Sequence, residues 1–281
     1  MPSLLGVVCL VLLLNHIRHR TKNDVQSPSK PKEELLPVYE LPPALFAEEP
    51  AHLTPIDPFN LIPKGSYPID VAHRQGYLHT GSVLYIMDSS GLLLFLQRSA
   101  DVVTCPGTWS ILGEHSTVGE EIIQTVVRGV EEELGFVAAA NGGRESYNPD
   151  SSGVWTVQLH PKNEMKETLH VTIQKATDFP LYYIRHYGPR NDNRIDRQIT
   201  YLWLVTFPKP HGEIQWSLDE EVANHKWKSL EKVRSWLSED ATKDNKVFRS
   251  DVGVLDDGPD EGDFCHRTIR SLYEVGLPTM V

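Results

Sequence analysis

The sequence predicts an α/β domain, and three observations carry that expectation. Apolar-rich runs bounded by turn residues read as strands: Gly81–Asp88 and Leu92–Arg98 flank the turn 88–91, and Arg197–Phe207 follows later. Between them, Ile122, Val126, Val130 and Leu134 recur every fourth residue with Ile123 and Val127 beside them, the buried stripe of one helix. Towards the end, Ser229 opens an amphipathic stretch to Leu237 in which Leu230, Val233 and Leu237 share a face.

In chain order, residues 1–22 read as an N-terminal hydrophobic anchor or signal segment. The run Ser3–Leu14 is uniformly apolar. It is short for a membrane span of ~20 residues and of the right length for a signal h-region. No Lys or Arg precedes it, while Arg18, Arg20 and Lys22 follow. That bias predicts membrane anchoring with the domain in the cytosol; the secretory pathway is the alternative. Residues 23–65 read as a Pro-rich linker, with Leu35, Leu36, Leu45 and Phe46 able to drape over the domain. The domain proper is expected over residues 70–240. A flexible loop interrupts it at Asn141–Gly153, and Tyr182–Ile184 reads as a strand with half-buried aromatics. Trp109 and Trp203 read as core. Residues 241–281 read as an acidic loop and a C-terminal helix from Phe264 to Gly276.

The central helix carries the chemistry. Thr117 and Glu120 have the form of a capping box, and Gly135 is a natural stop. Glu131, Glu132 and Glu133 crowd the last turn, where the helix dipole is negative. Each such placement is unfavourable by roughly 0.3–1 kcal/mol when exposed. A divalent cation reverses the sign of that cost, because hard ions such as Mg²⁺ take carboxylate oxygens and share their shell with substrate phosphates. A solvated acidic face relieved by Arg128 is the plainer alternative.

The residues Glu120, Arg128, Val130, Glu132, Glu133, Gly135 and Phe136 resemble the signature of the Nudix superfamily, G-x5-E-x7-R-E-U-x-E-E-x-G-U with U a bulky aliphatic. Two positions depart from it. The leading Gly falls on Glu114, and the Glu after Arg is Gly129. The order of elements from about 70 to 240 is similar to the Nudix fold, an α/β/α sandwich around a mixed sheet. The resemblance implies Mg²⁺ or Mn²⁺ as cofactor, with Glu120, Glu132, Glu133 and His115 as candidate metal ligands. It implies Glu132, Glu133 and Arg128 as catalytic candidates, with Arg128 orienting Glu132 or Glu120 by a charge-assisted hydrogen bond. In Nudix hydrolases the Glu replaced here by Gly129 lies among the metal-binding or base-supplying carboxylates. A late-loop Glu often assists, so Glu220 and Glu221 are further candidates.

The segment His73–His79, with Gln97-Arg98, Pro106–Trp109 and His115, is also similar to isopentenyl-diphosphate isomerases. Those enzymes place metal-binding histidines at positions matching His79 and His115 and likewise lack the box Glu at Gly129. They move protons on carbon with a Cys two residues before the box histidine, where Gly113 stands here, and with a Glu on the later strand. That strand begins Asp196-Arg197-Gln198 in place of a Glu-x-Glu pattern. Asp196 is placed to replace the missing carboxylate, and Arg74 and Arg98 are candidate phosphate contacts.

The 281 residues carry a net charge of −11, which argues against binding a nucleic-acid backbone. Three cysteines supply neither a disulfide framework nor a zinc set. The expected function is metal-dependent hydrolysis of a diphosphate linkage in a nucleoside-diphosphate derivative or similar small molecule. The alternatives are an isomerase of isoprenoid diphosphates and a degenerate Nudix module that binds a diphosphate ligand without chemistry.

Overall fold

In the computed structural model the described residues are 34–45, 52–53, 60–102, 105–139, 147–163, 167–187, 193–235 and 265. The N-terminal hydrophobic segment, Phe46, most of the loop from Asn141, the acidic tail and the C-terminal helix lie outside them, apart from Cys265. Among the described residues no helix is long and apolar enough to cross a membrane.

The strands are β1 (Leu35–Tyr39), β2 (His52–Leu53), β3 (Pro63–Pro68), β4 (Leu78–Met87), β5 (Leu92–Arg98), β6 (Trp109–Ser110), β7 (Leu112–His115), β8 (Phe136–Ala138), β9 (Trp155–Pro161), β10 (Leu169–Lys175), β11 (Leu181–His186), β12 (Ile195–Thr206) and β13 (Val222–Ser229). The helices α1 (Ile69–Gln75) and α2 (Ile122–Leu134) join them. One mixed sheet runs β13-β5-β4-β12-β10-β9-β8, with β4 parallel to β12 and its other ladders antiparallel. Side chains alternate across the strands, so each face buries its own core. On one face Ile123, Val126, Val127, Val130 and Leu134 of α2 pack on Leu84, Ile86, Ile199, Tyr201 and Trp203. On the other, Val83, Tyr85, Leu202 and Leu204 pack with Trp109, Tyr183 and Val233 of the helical residues 230–235. This is the α/β/α sandwich around a mixed sheet.

Three local expectations are corrected. The capping box uses Glu121 and Gln124, one turn beyond the expected Thr117 and Glu120, and α2 begins at Ile122. Thr117 to Glu120 is a loop that only half resembles a cap, because Glu120 Oε2 accepts the Thr117 N–H at 3.0 Å. The stretch predicted as linker contributes β1, with Leu36 and Val38 fully buried, although Leu35 stays exposed. Its period-two alternation outweighs Pro37. Tyr182 and Tyr183 are buried outright, not half-buried, because β11 lies between β12 and β2.

Gly135 ends α2 with φ +76, and a Cβ there would meet Ser217 O at 2.3 Å. The loop from Ser217 closes on the helix end, donating Ser217 N–H to Leu134 O at 3.2 Å and Asp219 N–H to Glu133 O at 3.2 Å. Gly135→Ala combines a left-handed backbone with a backbone clash. It is expected to destabilise the protein by at least about 2 kcal/mol in denaturant titration; a loss under about 0.5 kcal/mol would contradict this packing.

Candidate functional site

Strand β7 presents chemistry to both faces of the sheet. Glu114 points to α2 and His115 to the opposite face, as alternation requires. The α2 side is built around Arg128. Its Nε and Nη2 donate to Glu120 Oε1 and Oε2 at 2.7 and 3.1 Å, and Nη2 also donates to His115 O at 2.6 Å. Its Nη1 meets Glu114 Oε1 at 3.1 Å and Glu132 Oε2 at 3.2 Å. Glu34, just before β1, approaches at 3.9 Å.

One guanidinium cannot neutralise four carboxyls, and their states diverge. Burial works to raise Glu120, but hydrogen bonds from Arg128 and Thr117 prevail and hold it below the usual carboxylate range. Thr125 Oγ1 adds a further donor at 3.2 Å. Glu114 is pushed up to about 8 by burial, with Arg128 only partly offsetting it and Glu34 and Glu133 adding repulsion. Burial also raises Glu34.

At the far end of α2, Glu133 is pushed up to about 7. Burial is the main cause, followed by repulsion from Asp219, Glu221 and Glu132, with Arg98 opposing. The loop hydrogen bonds that close on the helix end bring Asp219 and Glu221 here, and Ser99 N–H donates to Glu221 O at 2.7 Å. Glu132 is the more exposed of the pair, with its side chain 58% accessible. Glu220 is exposed on the same turn. A half-buried carboxyl crowded by three others is a site where a divalent cation lowers the energy and where a proton is exchanged near neutral pH.

On the opposite face four ligating atoms, one each from His73, His79, His115 and Asp196, all lie within 4.8 Å of one another. They arrive from four elements. His73 is on the last turn of α1, which Gly76 closes in a left-handed conformation. His79 opens β4, His115 ends β7, and Asp196 opens β12. Register assembles them, because β4 pairs with both partners: Gly81 opposes His115 and His79 opposes Gln198. The three ring centroids stand 5.1, 5.4 and 5.3 Å apart. Asp196 Oδ1 lies 3.5 Å from His79 Nε2 and 3.8 Å from His73 Nε2. A Cβ on Gly81 would meet Glu114 O at 2.8 Å and Gln198 Oε1 at 2.9 Å, so glycine makes the room.

The donor chemistry fits a divalent transition ion. His79 Nδ1 must donate to the Tyr77 carbonyl at 3.0 Å, which leaves Nε2 as its basic nitrogen, facing Asp196. Gln198 Oε1 accepts from Thr200 Oγ1, so its amide N–H₂ donates to Asp196 Oδ1 at 2.7 Å and to His115 Nε2 at 3.1 Å. His79 Nε2 therefore presents a lone pair to the cluster, while the lone pair of His115 Nε2 accepts the Gln198 amide, which an ion bound there would have to displace. Three imidazoles with one carboxylate suit Mn²⁺, Co²⁺ or Zn²⁺, whereas the carboxylates of α2 suit Mg²⁺.

Among the sequence candidates, the structure thus divides His115 from Glu120, Glu132 and Glu133, placing them on opposite faces of the sheet. It brings His79 and Asp196 to His115 and adds His73, which sequence reasoning passed over. The H-x5-H spacing across the helix stop at Gly76 was the available signal. Arg98 lies 3.9 Å from Glu221, and Arg74 pairs with Asp70 on the α1 surface at 3.1 Å.

The raised carboxyls give a pH dependence. Glu114 and Glu133 bind protons more tightly folded than unfolded, where the ordinary value is 4.5. Their contribution to stability is complete below about pH 4.5 and lost as pH rises through 7 and 8. Glu120 and Asp88, both lowered, act in the opposite sense but below about pH 4.5, outside that window. Metal-free protein is therefore expected to melt at progressively lower temperature from pH 5 to 9, measured by calorimetry; a flat or rising profile would contradict it.

Residues 78–181 match the NUDIX domain family. An isopentenyl-diphosphate Delta-isomerase of Serratia proteamaculans is 38% identical over 68 residues, which is 24% of this chain and 37% of that protein. The chain thus matches well under half of that relative's length. Among solved structures, DR0079 from Deinococcus radiodurans is 12% identical over 69% of this chain and 82% of its own, with a TM-score of 0.35. A C. elegans Ap4A hydrolase is 17% identical over 56% and 83%, with a TM-score of 0.30. At residues 78–181, then, the chain carries a stretch similar to the NUDIX domain family.

Proposed function

We propose that the protein is a metal-dependent hydrolase of a diphosphate linkage in a small molecule such as a nucleoside-diphosphate derivative. The observation that carries this reading is Glu133, half-buried at the end of α2 against Asp219, Glu221 and Glu132 and pushed up to about 7. Glu132 and Glu133 would hold a divalent ion, which would supply charge neutralisation at the phosphate oxygens and polarise phosphorus. Glu133 accepts a proton from the attacking water as the new oxygen–phosphorus bond forms. The bridging oxygen–phosphorus bond breaks, and the leaving phosphate departs with the electron pair. Arg128 fixes Glu132 from the helix side, and Glu120 locks the loop that precedes it.

The test is a screen of the Mg²⁺- and Mn²⁺-loaded protein against nucleotide sugars, dinucleotides, coenzyme A, nucleoside triphosphates and isoprenoid diphosphates. A doubly substituted Glu132→Gln, Glu133→Gln protein runs in parallel. Cleavage by wild type alone is expected; equal rates from the two proteins would sink the assignment.

A second reading is favoured by the cluster of His73, His79, His115 and Asp196 together with the isomerase relative. Gly113 and Gln198 stand where that chemistry needs a thiol and a carboxylate. Conversion of isopentenyl diphosphate to its dimethylallyl isomer in the same screen would establish it over hydrolysis.

A further inference from the structure

The two departures from the Nudix signature face each other in space. Where the pattern has Gly the chain has Glu114, and where it has Glu the chain has Gly129. A Cβ placed on Gly129 would stand 3.3 Å from both Cβ and Cγ of Glu114 and 3.2 Å from Leu112 Cδ2. These are contacts tighter than side chains normally make, so the stem of Glu114 fills the room that a side chain at 129 would need. A residue larger than glycine is accommodated at 114 or at 129, but both together force the strand and helix apart.

The carboxyl of Glu114 shares Arg128 with Glu132. Its Oε1 meets Arg128 Nη1 at 3.1 Å and accepts the His115 N–H at 3.0 Å, and the same Nη1 meets Glu132 at 3.2 Å. The side chain is only 12% exposed.

We propose that Glu114 supplies, from strand β7, the carboxylate that the box lost at position 129: the Gly and the Glu of the signature have changed places across the strand–helix contact. Gly129 is then no lesion in the helix but the half of the exchange that makes room. For its chemistry this rests on the hydrolase reading; for the exchange itself it rests on packing alone. A role limited to counter-ion for Arg128 makes a different prediction, since it requires no metal readout.

The experiment is a substitution cycle in the full chain carrying Asp196→Asn, which removes the carboxylate of the histidine cluster and isolates the carboxylate site. Mn²⁺ binding is read by calorimetric titration and stability by thermal melting. Glu114→Gln preserves size and is expected to weaken Mn²⁺ binding by about 10- to 100-fold. Glu114→Gly and Gly129→Glu are each expected to lower the melting temperature. The double variant Glu114→Gly, Gly129→Glu is expected to melt above the sum of the two losses and to recover Mn²⁺ affinity to within about threefold. Mn²⁺ binding by Glu114→Gln equal to that of its parent, or a double variant no better than Glu114→Gly alone, would overturn the proposal. If the wild type cleaves no diphosphate yet the cycle behaves as expected, the exchange holds and only the hydrolase reading fails.

Discussion

Glu133→Gln is expected to lower turnover of a diphosphate substrate by about 10²- to 10⁴-fold, the range for loss of a general base, and to raise the melting temperature above pH 7. The two effects have one cause. In the metal-free protein Glu133 is ionised above about pH 7 only against burial and the repulsion of Asp219, Glu221 and Glu132. Glutamine keeps the shape and removes the charge, so the penalty disappears. Below about pH 4.5 the carboxyl is protonated in folded and unfolded chains alike, and the two proteins should differ little. A group that destabilises the fold while serving a reaction is the expected signature of a functional residue. The measurement is a pair of curves, kcat against pH and melting temperature against pH, for wild type and variant. Unchanged kcat, or a variant less stable than wild type at pH 8, would contradict the role given to this carboxylate.

The second large effect concerns the opposite face of the sheet. Addition of Mn²⁺, Co²⁺ or Zn²⁺ at about 100 times the dissociation constant is expected to stabilise the protein by about 2.7 kcal/mol. That corresponds to a rise of roughly 5–10 °C in melting temperature for a domain of this size. Asp196→Asn should abolish most of the rise given by Co²⁺ or Zn²⁺, while Mn²⁺ still binds at the carboxylates of α2. Its oxygen lies 3.5 and 3.8 Å from two imidazole nitrogens and accepts the Gln198 amide at 2.7 Å, so it is the anion around which the three histidines gather. His79→Gln serves as the companion variant, because His79 Nε2 is turned inward by the hydrogen bond at Tyr77. Equal shifts from Co²⁺ or Zn²⁺ in all three proteins would show that these residues hold no ion.

Much of the α2 side was legible in the sequence because its parts lie on one helix at fixed spacing. Arg128, Glu132 and Glu133 are ordered by helical periodicity, from which the Arg128 bridge to Glu132 follows, while Glu120 reaches Arg128 from the loop just before the helix. The histidine cluster was not legible in that way. Its members come from residues 73, 79, 115 and 196, and only the parallel pairing of β4 with β12 and the antiparallel pairing with β7 bring them together. The resemblance suggested His79 and His115; His73, on a helix of seven residues, was signalled only by its H-x5-H spacing from His79. Glu114 was read merely as a misplaced glycine, since its partner Gly129 is a neighbour across a strand–helix contact and not along the chain. The strand β1 was hidden by the prolines around it, although burial of Leu36 and Val38 follows their alternation. The helix start was misplaced because Thr117 with Glu120 and Glu121 with Gln124 both satisfy a capping pattern, and only the second pair makes the reciprocal bonds.

The claim on which the rest depends is that the crowded carboxylates ending α2 hold a divalent cation. Anomalous scattering from a crystal of the full chain soaked with Mn²⁺ and a methylene-bridged diphosphate tests it most directly. The prediction is a peak within ligand distance of Glu133, with the diphosphate oxygens completing its shell, and a second peak among His73, His79, His115 and Asp196. Strong occupancy of the histidine cluster with no Mn²⁺ at Glu133 would contradict the claim.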